Sequence, residues 1–264
     1  MDINPNQWIA DLTTADREIL KSNAWVNEAI IYASMEILGK QCEGKIHGWQ
    51  CSQLAQNLSF RPIPPSSRFV QIFHVGGNHW VTVSNIQNSE VNAISVYDSL
   101  PQRTMSTSFK EQICSLVQSR YAKVVFDIVH VELQPNAYDC GVYAIANATE
   151  LAQGRDPVLC VWKTNDMRKH LISCLESGQF SQFPLVKKRR GTLGGRVRTS
   201  IPVSIQCIVC RMPNNKSKPM IRCSNCRCSY HLECVHLSSS KESTSAKDQW
   251  ICGDCIRILE LAQN

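Results

Sequence analysis

The chain has no long apolar run. Nowhere in its 264 residues does one approach the roughly 18–20 that a membrane-spanning helix needs. Residues 1–12, MDINPNQWIADL, lack the basic start and the apolar stretch of a secretory leader, so an intracellular location is expected. No internal repeat is present. Charge is sparse as well: charged residues make up 19% and the formal net charge is +6, too small an excess to imply a broadly basic surface. With 43% apolar residues the chain is not a disordered polyampholyte and has ample material for buried cores. What it has in excess is cysteine, 14 residues. Without a secretory route disulfides are not the expected use, which leaves metal binding and thiol chemistry.

The cysteines are unevenly spread. Cys42, Cys51, Cys114, Cys140, Cys160 and Cys174 lie in the first zone, and eight more fall between Cys207 and Cys255. Between the zones, residues 187–198 read KKRRGTLGGRVR, with three glycines and no apolar periodicity. Residues 184–203 are therefore read as a basic flexible linker between a first domain, 1–183, and a second, 204–264. Lys187, Lys188, Arg189, Arg190, Arg196 and Arg198 equal the whole net charge. Such a run is a solvated linker or, in a second reading, a nuclear-localisation or nucleic-acid patch.

The first zone mixes two periodicities. Helices are expected over 15–22, 27–40, 108–121, 140–153 and 165–176, and strands over 69–73, 79–86, 93–98 and 123–131. One helix, a run of strands and further helices make an α+β domain. Cys140 opens the helical stretch at 140–153. At a helix N-terminus, unpaired backbone N–H groups and the positive dipole end favour thiolate over thiol. A base is then needed, and His74, His79 and His130 lie upstream. His79 heads one expected strand and Asp98 ends the next, so adjacent strands can bring the carboxylate to the imidazole and fix its tautomer. Gln134, six residues before Cys140, can offer its amide to a developing oxyanion. The other cysteines of this zone read as small core residues.

His79, Asp98, Gln134 and Cys140, in that order, resemble the ubiquitin-like-protease (SUMO-specific, sentrin-specific) family of cysteine peptidases. The matching stretches are WVNEAII from Trp25, HWVTVSNI from His79, VYDSL from Val96 and QPNAYDCGVY from Gln134. The resemblance implies a papain-like α+β fold and those four residues as the catalytic set. It also implies a narrow tunnel for a Gly-Gly tail, walled by Trp25 and Trp80. Glu28 departs from the family, which usually has aspartate there, and residues 41–68 match poorly.

In the second zone, Cys207-x2-Cys210, Cys223-x2-Cys226, His231-x2-Cys234 and Cys252-x2-Cys255 supply eight ligands, enough for two closed tetrahedral zinc sites. This order, the short gap before His231, and Trp250 two residues before Cys252 resemble a PHD finger. That resemblance implies cross-bracing: Cys207, Cys210, His231 and Cys234 on one zinc, and Cys223, Cys226, Cys252 and Cys255 on the other. Both zincs are structural, and none is expected in catalysis. Cys228 is left over. Such fingers commonly read histone tails, but Ser229 stands where a methyl-lysine cage often has tryptophan, so no cage is expected.

Together these features lead us to expect a thiol isopeptidase that cleaves after the Gly-Gly tail of a ubiquitin-like modifier. The finger would serve for targeting or for docking a histone tail or chromatin protein, in the nucleus and with no membrane partner. The alternatives are a non-catalytic chromatin or modifier-binding adaptor and an acyltransferase of the same clan.

Overall fold

The computed structural model describes residues 12–64, 66–88, 90, 92–101, 104–119, 121–188, 198–213, 215, 217–237 and 250–261. In chain order the elements are α1 (Thr14–Lys21), α2 (Glu28–Cys42), β1 (His47–Gly48), β2 (Phe69–Val75), β3 (His79–Ser84), β4 (Ala93–Tyr97), α3 (Thr107–Val117) and β5 (Lys123–Val129). They continue with α4 (Cys140–Ala152), β6 (Cys160–Trp162), α5 (Thr164–Ser177), β7 (Leu185–Lys188), β8 (Arg198–Ser204), β9 (Met220–Arg222), β10 (Ser229–His231) and α6 (Gly253–Leu261). Among the described residues, no helix is long and apolar enough to cross a membrane.

Local chemistry sets the helix starts. Thr13 and Asp16 form a capping box at α1, with Thr13 N donating to Asp16 Oδ2 at 2.8 Å and Asp16 N to Thr13 Oγ1 at 3.3 Å. Asn27 caps α2 by accepting from Ile30 N at 3.1 Å, and its amide donates to Asp16 Oδ1 at 2.7 Å, so the two helix starts are tied together. Ser106 caps α3 through Phe109 N.

The main sheet has the order β1-β2-β3-β4-β5-β8. Strand alternation gives it two buried faces. Val70, Ile72, Trp80 and Tyr97 face α2 and α4, in a core that also holds Ile30, Ile31, Met35, Ala144 and Ile145. Phe69, Phe73, Val81, Val83, Ile94, Val96 and Phe126 face the other way, against Phe109, Ile113 and Leu116 of α3. Thr82, on the first face, is buried and donates to Ala144 O at 2.7 Å, which pins α4 across the sheet.

The stretch expected as a linker, 184–203, is strand at both of its described ends; residues 189–197 lie outside the described residues. β7 pairs with β6, and β8 pairs antiparallel with β5 from Arg198↔Val129 to Ser204↔Lys123. The physical reason is that RTSIPVS alternates. Val203 is buried in the second core and Ile201 packs on it, while the basic residues and glycines just before it mask the pattern. Arg198 and Ser200 also satisfy Asp127, whose carboxylate is buried in β5: Arg198 Nη1 donates to Oδ2 at 2.8 Å and Ser200 Oγ to Oδ1 at 2.5 Å. Beyond β8 the chain stays attached. Ile205 N donates to Ala122 O at 2.8 Å, Arg211 Nε to Ser119 O at 2.8 Å, and Asn215 Nδ2 to Glu111 Oε1 at 2.9 Å. A third, small core gathers Ile221, Tyr230 and Leu232 around the second-zone cysteines, with Trp250 packed on it.

Candidate active site and zinc centres

Cys140 is the first residue of α4 and is buried. Its Sγ lies 3.6 Å from Asn78 O, in the Gly76-Gly77-Asn78 turn that joins β2 to β3. His79, the first residue of β3, places Nε2 2.8 Å from Asp98 Oδ1. Burial opposes a charge on this imidazole, but hydrogen bonds to Asp98 and Cys140 outweigh it and raise the pKa from 6.5 to about 9. Asp98 Oδ1 also accepts from Leu100 N at 2.8 Å, which holds the carboxylate on the side of His79. β3 and β4 are antiparallel neighbours with Thr82 opposite Tyr97, so the strand reading of the sequence brings these two residues together as expected.

Gln134 is buried and held at three points. Its N–H donates to Ser99 O at 3.0 Å, its Oε1 accepts from Ser99 Oγ at 2.7 Å, and its Nε2 donates to Asn136 O at 2.6 Å. A primary amide has two N–H donors, so one remains for a ligand. Trp25 is half exposed, and its indole donates to Ala137 O at 2.8 Å. Trp80 is buried, donates to Val26 O at 3.0 Å and stacks obliquely on His74. Gly141 sits where these pieces converge: a Cβ there would lie 2.7 Å from Val26 Cβ and 3.3 Å from Trp80 Cδ1. On the second-core side of the His79–Asp98 pair lies a cavity of about 320 Å³, lined in part by Phe109 of α3 and by Thr199 and Ile201 of β8.

Several supporting residues carry no local signal that singles them out. Asn136 bridges its own loop, with Nδ2 donating to Asp139 Oδ2 at 2.7 Å and Oδ1 accepting from Asp139 N at 3.0 Å. Ser99 and Asn136 lie inside the VYDSL and QPNAYDCGVY stretches, but periodicity and spacing assign them nothing. The other first-zone cysteines sit as expected of core residues, with Cys51 half-buried. Burial raises Cys114 to about 12, and burial with Glu150 beside it raises Cys160 to about 12, so both stay thiols.

In the second zone, Cys207, Cys210, His231 and Cys234 form one cluster and Cys223, Cys226, Cys252 and Cys255 another, each with its ligand atoms within 4.8 Å of one another. The alternation of the pairs is the cross-brace. Tetrahedral zinc with Zn–S near 2.3 Å needs sulfurs about 3.8 Å apart; Cys226 Sγ and Cys252 Sγ are 3.8 Å apart. His231 turns Nδ1 toward Cys210 Sγ at 3.3 Å and Cys234 Sγ at 3.9 Å. Backbone N–H groups support the sulfurs: His231 N donates to Cys207 Sγ at 3.4 Å and Cys252 N to Cys223 Sγ at 3.3 Å. The donor sets fit two zinc ions. Cys228 belongs to neither cluster.

Residues 68–171 match the Ulp1 protease family, C-terminal catalytic domain. This part of the chain is a Ulp1-family cysteine protease domain. Residues 207–255 match the PHD finger, so a PHD finger follows the Ulp1-type domain in the same chain. Among solved structures, the Ulp1 protease domain in complex with Smt3, the yeast ortholog of SUMO, is 16% identical with a TM-score of 0.50, covering 65% of this chain and 88% of that one. Ulp1 with its catalytic cysteine oxidised to a sulfinic acid is likewise 16% identical at a TM-score of 0.50, over 66% of this chain and 86% of that one. At such identity the likeness is one of fold. No curated protein matches the sequence. Trp25, α1 and α2 lie before the Ulp1-family match, and β8 lies after it.

The zinc assignment has a direct check. The purified protein should carry two zinc ions per chain, one for each cluster. Stripping them with a strong chelator should unfold the finger, because so small a core depends on metal for its folding free energy. Native metal analysis giving one zinc or none would refute the cross-braced assignment.

Proposed function

We propose that the chain is a thiol isopeptidase that cleaves after the Gly-Gly tail of a ubiquitin-like modifier, with Cys140 as nucleophile, His79 as general base and acid, Asp98 as orienting carboxylate and Gln134 as oxyanion donor. The observation that carries this reading is the buried His79, hydrogen-bonded to Asp98 and to Cys140 at the N-terminus of α4, in a Ulp1-family domain. The solved relative of like fold is a complex with a SUMO ortholog, which supports a modifier as partner. Trp25 and Trp80 wall the cleft, and only residues without side chains pass between two indoles.

In this reading the Cys140 proton already rests on His79, so that the two stand as an imidazolium–thiolate pair, and the thiolate attacks the carbonyl carbon after Gly-Gly. The oxyanion that forms is held by the free N–H of Gln134 Nε2 and the backbone N–H of Cys140. As the C–N bond breaks, His79 returns the proton to the departing lysine amine. Water, deprotonated by His79, then hydrolyses the thioester and frees the modifier's carboxylate. Residues 1–204 form the catalytic unit in this reading. The finger docks a partner such as a histone tail or chromatin protein.

A panel of ubiquitin-like modifiers bearing C-terminal electrophiles tests this directly. At least one should form an adduct on Cys140 and none on Cys140→Ala; if no modifier reacts, the chain is an adaptor. Gln134→Ala should slow hydrolysis by about 100- to 1000-fold, the usual cost of one oxyanion donor. Retention of most of the activity would remove Gln134 from the oxyanion role.

The pH dependence has a definite sign. His79 is held charged until about pH 9, so its pairing contributes stability fully below 6.5 and loses it as pH rises through about 9. Hydrolysis should fall over the same upper range as the imidazolium is lost. An NMR titration of the His79 ring with a midpoint near 6.5 would contradict this, and Asp98→Asn should move the midpoint down.

A further inference from the structure

The geometry points to Arg168 as a positioning residue that holds the Cys140 loop and the Trp25 wall of the cleft in register, an inference that rests on the modifier-peptidase reading. Arg168 lies on α5, on a different element from every residue assigned above. Its side chain is 14% exposed, and its guanidinium serves three segments at once. Nε donates to Asp139 Oδ1 at 2.7 Å, Nη1 to Ile19 O at 2.9 Å and Nη2 to Ala24 O at 2.6 Å. Its guanidinium carbon also lies 5.6 Å from the centre of the Tyr138 ring.

These partners are the immediate neighbours of the reacting parts. Asp139 precedes Cys140, Ala24 precedes Trp25, and Ile19 O is a last-turn carbonyl of α1. The 24–26 segment is thus joined to the nucleophile loop residue by residue. Ala24 meets it through Arg168, Trp25 through its indole on Ala137 O, and Val26 through its side chain against Gly141. Arg168 is the member of this seam that is tied to both sides by charge and hydrogen bonds together. A lysine cannot replace it, because an ammonium on a flexible stem lacks the fixed fork that reaches three acceptors in different directions. The residue does not touch the reacting atoms. It sets the distance between the wall that receives the tail and the sulfur that attacks it, where a misplacement of about 1 Å can cost on the order of 100-fold in rate.

The test compares wild type, Arg168→Ala, Arg168→Lys and Asp139→Asn as full-length, zinc-loaded protein in two reactions at Cys140, each read by peptide mass mapping. Iodoacetamide needs only the thiol, and it is used at alkaline pH so that thiolate is not limiting. A modifier with a C-terminal electrophile needs the thiol and the cleft in register. Both Arg168 variants should capture the modifier about 30-fold or more slowly while alkylation changes by less than about threefold, and lysine should not rescue. Asp139→Asn, which keeps the shape of the loop, should fall between wild type and the Arg168 variants. If Arg168→Ala does not fold, Arg168→Lys and Asp139→Asn carry the comparison. Equal slowing of both reactions would make Arg168 merely structural and overturn the inference, as would modifier capture at the wild-type rate. A wild type that is alkylated at Cys140 but captures no modifier would overturn the peptidase reading, and the inference with it.

Discussion

Cys140→Ala should lower modifier hydrolysis by about 10⁴-fold or more while leaving the fold and modifier binding in place. No other thiol of the first zone can take over. Burial raises Cys42, Cys51 and Cys174 and holds Cys114 and Cys160 at about 12, and His79 is hydrogen-bonded to none of the five. The substitution removes one buried sulfur at a helix start whose capping does not use it, since α4 has no side-chain cap. The loss is therefore chemical rather than structural, and a trapped, non-covalent modifier complex is the expected by-product. Hydrolysis assays with matched thermal melts decide it. Residual activity within tenfold of wild type, in a folded protein, would mean that another residue is the nucleophile.

A chain ending at Lys188 should fail to reach the native state, even though it contains the whole stretch matched to the Ulp1 family and α1 and α2 before it. It would lack β8 and with it the ladder on β5 from Lys123 to Val129. Asp127 would lose both partners of its carboxylate, Arg198 and Ser200, and breaking such a pair costs up to roughly 3–5 kcal/mol where the remaining charge stays buried. Against a total stability of about 5–15 kcal/mol that loss alone is large, and the covering of the second core by Ile201 and Val203 goes with it. Arg198→Ala in the full chain should show the milder form, below that range, because Ser200 remains. Urea unfolding monitored by tryptophan fluorescence reads both. A chain ending at Lys188 that unfolds at the same urea concentration as the full chain would show that β8 is dispensable. Because Thr199 and Ile201 line the cavity beside His79 and Asp98, loss of β8 should also reduce activity in any fraction that folds.

The elements that read clearly from sequence are those with one dominant periodicity. The helix expected over 15–22 is Thr14–Lys21, and the strand expected over 93–98 is Ala93–Tyr97. Ends were less legible where the chain turns left-handed: α3 stops at Val117 because Gln118 adopts φ 42°, not at Tyr121 as its periodicity suggests. β8 was hidden because its partner, β5, lies far away in sequence and its own alternation is short. His79 and Asp98 were legible as a pair because adjacent strand ends place them together. Arg168 was not, because its acceptors come from three separate stretches, two of them backbone carbonyls of residues with no polar side chain.

The close approach at Gly141 sets a rule of joint variation. The lead-in to α2 and the start of α4 run so near each other that the space between positions 26 and 141 holds a single β-carbon, now supplied by Val26. Either position can carry a side chain, but not both unless the backbones part. A change at 141 is therefore viable only together with a glycine at 26, and a natural or selected variant of this enzyme should show the two positions trading that one carbon between them.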